Sequence, residues 1–350
     1  MKAITVRPGA GLEEIRVGEV AEPPPEDGEV LVEGRLLGIC GTDGDIVFEH
    51  GHGVASPGRD RLLIGHESLG TVLEAPLGSG LNEGDLVVGM VRRPDPVPCE
   101  PCARGEQDFC RNGRYTERGI KERDGYGARR WRVEPEYAIR LDPALGDLGV
   151  LLEPTSVLAK AWEQTDRIFA RSSWRPKVAL VTGAGPVGLF AALLAVQRGL
   201  ETHVLDLNDR GPKRGLVEDL GATFHVGDVR DIGVIPDVVM ECTGSGTLVA
   251  DLVEVVAPDA VICLTGILSG DRSVEVGMNA VNRTMVMGNL VMFGSVNASR
   301  RNFEQAADAL AKADPAWLGR MITRRVPLEA FADGLRKHED DVKVVVDLQG

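Results

Sequence analysis

Apolar and polar residues alternate through the N-terminal stretch MKAITVRPGAGLEEIRVGEV, which lacks the apolar core of a signal peptide and predicts a first strand and hairpin. Short alternating runs such as GEVLVEGRLLGIC and GDLVVGMV follow, punctuated by glycine and proline up to about residue 150. They predict a β-rich first part without a long helix. The texture changes near residue 151, where GVLLEPTSVLAKAWEQTDRI carries apolar residues at helical spacing after Pro154. From Lys177 the pattern becomes KVALVTG (strand), PVGLFAALLAVQRG (helix), ETHVLDL (strand) and KRGLVEDLG (helix). PDVVMECTG, TLVADLVEVVAP and AVICLTG continue the alternation. Apolar strands separated by helices imply a parallel sheet covered on both faces. An amphipathic helix, RRNFEQAADALAKAD, and a strand-like run, VKVVVDL, close the chain. No internal repeat, low-complexity tail or glycine- and serine-rich linker interrupts it.

A chain of 350 residues is long enough for two domains with separate cores. Its 43% hydrophobic and 26% charged residues are ordinary for a globular protein, and no apolar run approaches the length of a membrane span. The 39 basic and 53 acidic residues leave a net charge of -14, which repels polyanions and argues against a nucleic-acid partner. A phosphate-bearing cofactor is still compatible, because backbone amides at a helix start hold phosphates without lysines. Six cysteines without a secretory signal point to the cytoplasm and to thiols used as ligands or core residues. Cys242 and Cys263 stand in apolar runs and read as core.

One strand–turn–helix transition carries a specific signal. VALVTGAGPVGLFAALLA sets Gly183, Gly185 and Gly188 as G-x-G-x-x-G between a buried strand and a helix that opens with Pro186 and Val187. The first glycine permits the tight turn, the second lets a pyrophosphate reach the backbone, and the third lets helix and strand pack closely. Asp206 ends the next strand, where a carboxylate can accept bonds from an adenosine ribose, and this favours NAD over NADP. Arg210 could instead receive a 2′-phosphate, with Lys213 and Arg214 following, so use of both cofactors stays open. Asn208, Thr243 and Gly244 complete the expected cofactor-binding set.

Metal-ligand chemistry appears twice. GICGTDGD and LIGHESLG supply Cys40, His66 and Glu67, a thiolate, an imidazole and a carboxylate suited to zinc. PVPCEPCARGEQDFC supplies Cys99, Cys102 and Cys110. Spacing alone does not show that Cys40 meets His66. His50 and His52, in the glycine-rich EHGHG, read as solvated.

The ordered set C-G-T-D at 40–43, G-H-E-x-x-G at 65–70, a cysteine-rich loop and a nucleotide fold after residue 177 resembles the zinc-dependent medium-chain dehydrogenase/reductase family over essentially the whole chain. MVRRPDPVPC, YTERGIKERDGYGARRW, LLEPTSVLAKAWE and GSVNAS resemble its glucose (aldose) 1-dehydrogenase branch. The resemblance implies an α/β protein with a GroES-like β-barrel catalytic domain at 1–160 and a Rossmann nucleotide domain at 161–297. Residues 298–350 return to the first domain, and the active site is expected in the cleft between domains. It implies oxidation of an aldose, D-glucose foremost, at C1 to the lactone with hydride transfer to NAD(P)+. Cys40 and His66 are implied as catalytic zinc ligands, Glu67 as a ligand or the holder of a zinc-bound water, and Glu153 as a ligand through water or a partner for sugar hydroxyls. Thr42 is implied in a proton relay, with Asp45 where many relatives have histidine, and Glu117 and Asn297 as sugar contacts. A homo-dimer or homo-tetramer is expected.

The family's structural-zinc lobe reads C-x2-C-x2-C-x7-C. Its first position falls on Pro96, so Asp95 is expected to join Cys99, Cys102 and Cys110, with Glu100 an alternative. A polyol, alcohol or threonine dehydrogenase of the same superfamily is the rival reading. A dinucleotide-binding protein without turnover would have no use for Cys40, His66 and Glu67 together.

Overall fold

The computed structural model describes residues 1–22, 28–49, 51–267 and 273–350. The chain divides into one unit of Met1–Ser156 with Asn297–Gly350 and a second of Val157–Val296. In the first unit the strand Val30–Gly38 is the organising element. It pairs antiparallel with Glu67–Glu74 on one side and with the C-terminal strand Lys343–Asp347 on the other, and Arg130–Val133 joins its first half. Ile322–Pro327 extends the sheet parallel to Lys343–Asp347, while Leu86–Gly89 and Ala138–Arg140 extend the opposite side. A smaller sheet of Arg16–Glu19, Lys2–Val6 and Leu62–Leu63 supplies further walls. Alternation sends Val30 and Val32 inward to meet Ile4, Ile46, Leu62, Val72 and Val87, with the Tyr126 and Trp131 rings edge to face at 4.8 Å.

The β-rich half contains a helix that the glycine-rich sequence concealed. Gly41–Phe48 forms two turns directly after Cys40. The Asp43 carboxylate accepts the Cys40 N–H at 2.9 Å, a local side-chain-to-backbone bond that stabilises this start. A second difference concerns Pro154. The helix runs Leu152–Phe169 and so includes that proline in its first turn, where a missing N–H costs nothing.

The second unit holds a six-stranded sheet in the order Thr223–Val226, Glu201–Asp206, Val178–Thr182, Val238–Glu241, Val261–Leu264 and Val291–Gly294. Every neighbouring pair is parallel. The helix Pro186–Gln197 is buried along most of its length, which explains its near-continuous apolar sequence. Met278–Gly288 is a helix the periodicity did not announce, and none of its residues is fully buried. Cys263 is core, whereas Cys242 is half-buried; burial pushes its thiol up to about 12, so both stay unreactive. No helix among the described residues is long and apolar enough to cross a membrane.

Beside the first unit's core, one carboxylate gathers three guanidinium groups. Glu134 accepts from Arg93 at 2.9 Å and from Arg123 at 2.6 Å, with Arg118 at 4.0 Å. Burial raises its pKa, but Arg93 and then Arg123 outweigh burial and hold it at about 2. A carboxyl held below its unfolded value stabilises the fold above the usual carboxylate range and loses that contribution as pH falls toward 2. After discounting for solvent screening, Glu134→Gln is expected to cost roughly 2 kcal/mol at pH 7. Melting curves should show the gap from wild type narrowing below pH 4.5, and a gap independent of pH would reject the ion-pair origin.

Candidate functional site

Cys40 ends the strand-to-helix corner after Val30–Gly38, and His66 and Glu67 open the strand hydrogen-bonded beside it. The two halves of the metal signal therefore converge because Gly38 pairs with Glu67 across the sheet. One ligand atom from each of Cys40, His66 and Glu67 lies within 4.8 Å of the other two. His66 and Glu67 are buried, and Cys40 is half-buried. Asp43 faces His66, with Oδ1 3.4 Å from Nδ1, which leaves Nε2 as the ring nitrogen available to a metal. Burial opposes protonation of this imidazole, but the Asp43 charge outweighs it and raises the pKa well above its ordinary value. The Thr42 Oγ1 lies 3.8 Å from the Cys40 sulfur.

One partner of this group was not visible in the sequence. Lys343, from the C-terminal strand, ion-pairs with Glu67 while its ammonium donates to the Ile39 carbonyl at 3.0 Å. Both side chains are almost completely buried. A Cβ at position 38 would overlap the Glu67 carboxylate, so glycine is required there. Glu153, in the first turn of Leu152–Phe169, is also buried. Burial pushes it up to about 7; the His66 charge pulls it down and Glu67 raises it again. It stands in the electrostatic field of the group without joining the three close ligand atoms.

Glu117 and Asn297, 180 residues apart, meet: the Asn297 amide donates to Glu117 Oε1 at 3.0 Å. Asn297 adopts φ +61°, a left-handed backbone that asparagine tolerates better than most residues. The same Glu117 oxygen accepts from Arg92 Nε at 3.0 Å and Nη2 at 2.9 Å. Arg92 lies 3.8 Å from the centre of the Tyr115 ring. His52 pairs with Glu49 at 3.2 Å, Asp45 sits in Gly41–Phe48, and His50 lies outside the described residues.

In the second unit Gly183 takes φ +88° at the end of its strand, and a Cβ on Gly188 would overlap the Gly183 carbonyl. Gly185 precedes the helix, with Pro186 and Val187 in its first turn, and no protein atom lies within 4 Å of where a Gly185 Cβ would stand. Open space beside glycine at a helix start suits a phosphate against the amides. Thr243 and Gly244 form the neighbouring turn, organised by the fully buried Glu241, which accepts from the Thr243 N–H at 2.7 Å and the Gly244 N–H at 3.0 Å. The Asp206 carboxylate is engaged within the protein. Its Oδ2 accepts from Ala184 N–H at 2.8 Å and Lys213 at 3.0 Å, and its side chain is 11% exposed. Asn208 accepts from the Arg210 N–H at 3.1 Å.

Residues 146–348 match the family described as glucose dehydrogenase C-terminus, and residues 26–143 match the alcohol dehydrogenase GroES-like domain. The glucose 1-dehydrogenase of Methanocella arvoryzae is 37% identical over 99% of both chains, and that of Thermoproteus tenax 37% over 100% of both. The chain belongs to the glucose dehydrogenase branch of the zinc-dependent medium-chain dehydrogenases. The Haloferax mediterranei glucose dehydrogenase, solved with NADP, Zn and gluconolactone, matches with a TM-score of 0.91 over 99% of each chain at 33% identity.

Within this dehydrogenase the cysteine-rich loop departs from the expected ligand set. The sulfurs of Cys99, Cys102 and Cys110 lie within 4.8 Å of one another, but no carboxylate joins them among the described residues. Asp95 is spent elsewhere: it accepts from Val97 N–H and Asn112 at 2.8 Å each and from Arg114 at 3.1 Å. The backbone of Asp95, not its side chain, faces the Cys102 sulfur. Glu100 is exposed and paired with Arg104 at 2.6 Å. Amide N–H groups of Arg111 and Cys102 lower the Cys99 thiol to about 7, while burial raises Cys102 to about 11.

Lys343→Met tests the buried ion pair. Leaving the Glu67 carboxylate uncompensated is expected to cost about 3 kcal/mol in chelator-treated protein. Added zinc should then raise the melting temperature more in the variant than in wild type, because the cation replaces the lost charge. Equal zinc-induced shifts would disprove the linkage.

Proposed function

We propose that the protein oxidises an aldose, D-glucose foremost, at C1 to the lactone, with hydride leaving C1 for NAD(P)+ and a proton for solvent. The observation that carries this reading is the convergence of Cys40, His66 and Glu67 within 4.8 Å. A soft thiolate, an imidazole and a carboxylate form a donor set suited to zinc. Zinc held there supplies Lewis acidity toward the C1 hydroxyl. Asp43 fixes the His66 ring, and Lys343 fixes Glu67, so both ligands are oriented in advance. Thr42, beside the Cys40 sulfur, takes up the C1 hydroxyl proton and passes it on.

Glu153, buried in the first turn of its helix, has a carboxyl group that needs a hydrogen-bond partner and so suits a sugar hydroxyl. Glu117 directs one oxygen to Arg92 and Asn297, which leaves the other for a sugar hydroxyl. Such groups discriminate strongly, because a substrate lacking the hydroxyl leaves them unpaired. We place the enzyme in the cytoplasm as a homo-oligomer, a setting in keeping with six cysteines that all remain free thiols.

For the cofactor, the geometry of Asp206 supports dual use. Lys213 offsets its charge, so the repulsion of a 2′-phosphate expected from sequence is weakened, and the Haloferax relative was solved with NADP. NAD+ and NADP+ are expected within roughly a factor of ten in kcat/KM. Lys213→Met should shift preference toward NAD by about tenfold, since the Asp206 charge is then unopposed. A ratio unmoved by the substitution would reject this assignment.

Glucose, galactose, xylose, sorbitol, threonine and simple alcohols, assayed with both cofactors, test the reaction. Lactone from glucose is the expected product. Cys40→Ala should lower kcat/KM by about a thousandfold or more while leaving dinucleotide affinity within about twofold. Turnover retained by that variant, or activity confined to sorbitol or threonine, would sink the reading.

A further inference from the structure

The cysteine-rich lobe holds a site that the oxidation reaction does not use. Its three sulfurs are assembled by short-range geometry: Cys99 precedes the helical turn Glu100–Ala103, Cys102 lies within it, and Cys110 follows the turn Gln107–Phe109. Backbone amides already serve the sulfurs as they would serve thiolates. The Arg111 N–H donates to Cys99 Sγ at 3.4 Å, and the Asp95 N–H faces Cys102. Mutual separations within 4.8 Å bring the three sulfurs close enough to face one ion. The donor set therefore fits a thiophilic metal such as zinc.

Zinc in a structural site takes four ligands in a tetrahedron. The two carboxylates that the loop pattern nominates are committed elsewhere. Asp95 is 2% exposed, and its oxygens are occupied by Val97, Asn112 and Arg114. Releasing it toward the sulfurs would break its bonds to the Val97 N–H and the Asn112 amide and unpair Arg114. Glu100 points into solvent with Arg104. The lobe is open on one side: Cys99 and Cys110 are half-buried, and the neighbouring Val97 and Phe109 are 65% and 41% exposed.

We infer that this lobe is a three-thiolate metal site that takes its fourth ligand from solution and accepts a small-molecule thiol there. Water occupies the fourth position when no thiol is present. On exchange the metal–oxygen bond breaks, a metal–sulfur bond forms, and the thiol's proton passes to solvent, with no change of oxidation state. Sulfur is the favoured incoming atom because a thiolate-rich zinc is soft. A closed four-cysteine lobe would be an inert brace; this one exchanges a ligand with its surroundings. The inference is independent of the aldose reading.

The test uses full-length wild-type protein and Cys110→Ser, each reconstituted with Co2+, with metal content measured by mass spectrometry. Cys110→Ser should hold about one equivalent less metal. 2-Mercaptoethanol is then titrated into both proteins, and the wild-type-minus-variant absorption is followed. This difference isolates the lobe from the Cys40 group. A saturable rise of about a third in the sulfur-to-cobalt band is expected as three metal–sulfur bonds become four. Loss of the equivalent without any thiol response would overturn the proposal, since the protein then closes the site itself. An unchanged metal content would overturn it as well. Circular dichroism checks folding, and Cys99→Ser replaces the comparison where Cys110→Ser does not fold.

Discussion

The ion pair between Lys343 and Glu67 is the constraint on which the first unit's chemistry depends. It joins the last strand of the chain to the strand that carries His66, across the central strand Val30–Gly38. Two charges withdrawn from water need excellent geometry and further hydrogen bonds to offset desolvation. Lys343 obtains one such bond from the Ile39 carbonyl, next to Cys40. The pair thereby fixes three things at once: the position of Glu67, the exit of the strand at Ile39, and the return of the C-terminus to the N-terminal sheet. The absence of a side chain at Gly38 is the complementary condition, because any Cβ would displace the carboxylate.

This arrangement explains why the chain must come back. Residues 157–296 form their own parallel sheet, yet the group around Cys40 is incomplete without Lys343 from beyond it. Asn297 repeats the relation on a smaller scale, since its amide braces a carboxylate 180 positions earlier. Each junction is a polar contact between distant segments. Such contacts contribute little net stability individually, but leaving one partner buried and unsatisfied is expensive. They therefore specify the assembly more than they drive it, while apolar burial supplies the bulk of the folding free energy.

What was legible in the sequence follows the same division. The strand–helix alternation after Lys177 and the glycine turn at 183–188 could be read because period and turn chemistry are local. The Gly41–Phe48 helix was concealed, since its two glycines and two aspartates score poorly as helix formers and the Asp43–Cys40 bond does the stabilising. Cys40, His66 and Glu67 could be nominated by type and by family resemblance, but their meeting depends on the Gly38–Glu67 register, which no spacing discloses. Lys343 in VKVVVDL reads as a charged strand end, and nothing nearby marks it as buried. Asp95 was nominated by counting along a family pattern. Counting cannot register that Val97, Asn112 and Arg114 compete for the same carboxylate. Asp206 had the right position, but its orientation was decided by Lys213 and the Ala184 amide.

Five glutamates show how one side-chain type is given different tasks by its surroundings. Glu67 faces a lysine and stands with a thiol and an imidazole, a carboxylate held in place by a counter-charge. Glu153 is buried among charges of both signs and is poised near neutrality. Glu134, among three guanidinium groups, is held at about 2 and is structural. Glu241 is held by amide and hydroxyl donors, so it shapes a turn. Glu117 offers one oxygen to both Arg92 and Asn297, so it ties together two segments 180 residues apart. Desolvation disfavours the charge in every buried case, and the outcome depends on what replaces the lost water. Where several fixed guanidinium groups replace it, as at Glu134, the carboxylate becomes scaffold. Where fewer charges replace it, as at Glu67, Glu117 and Glu153, the carboxylate keeps the capacity to accept a further partner.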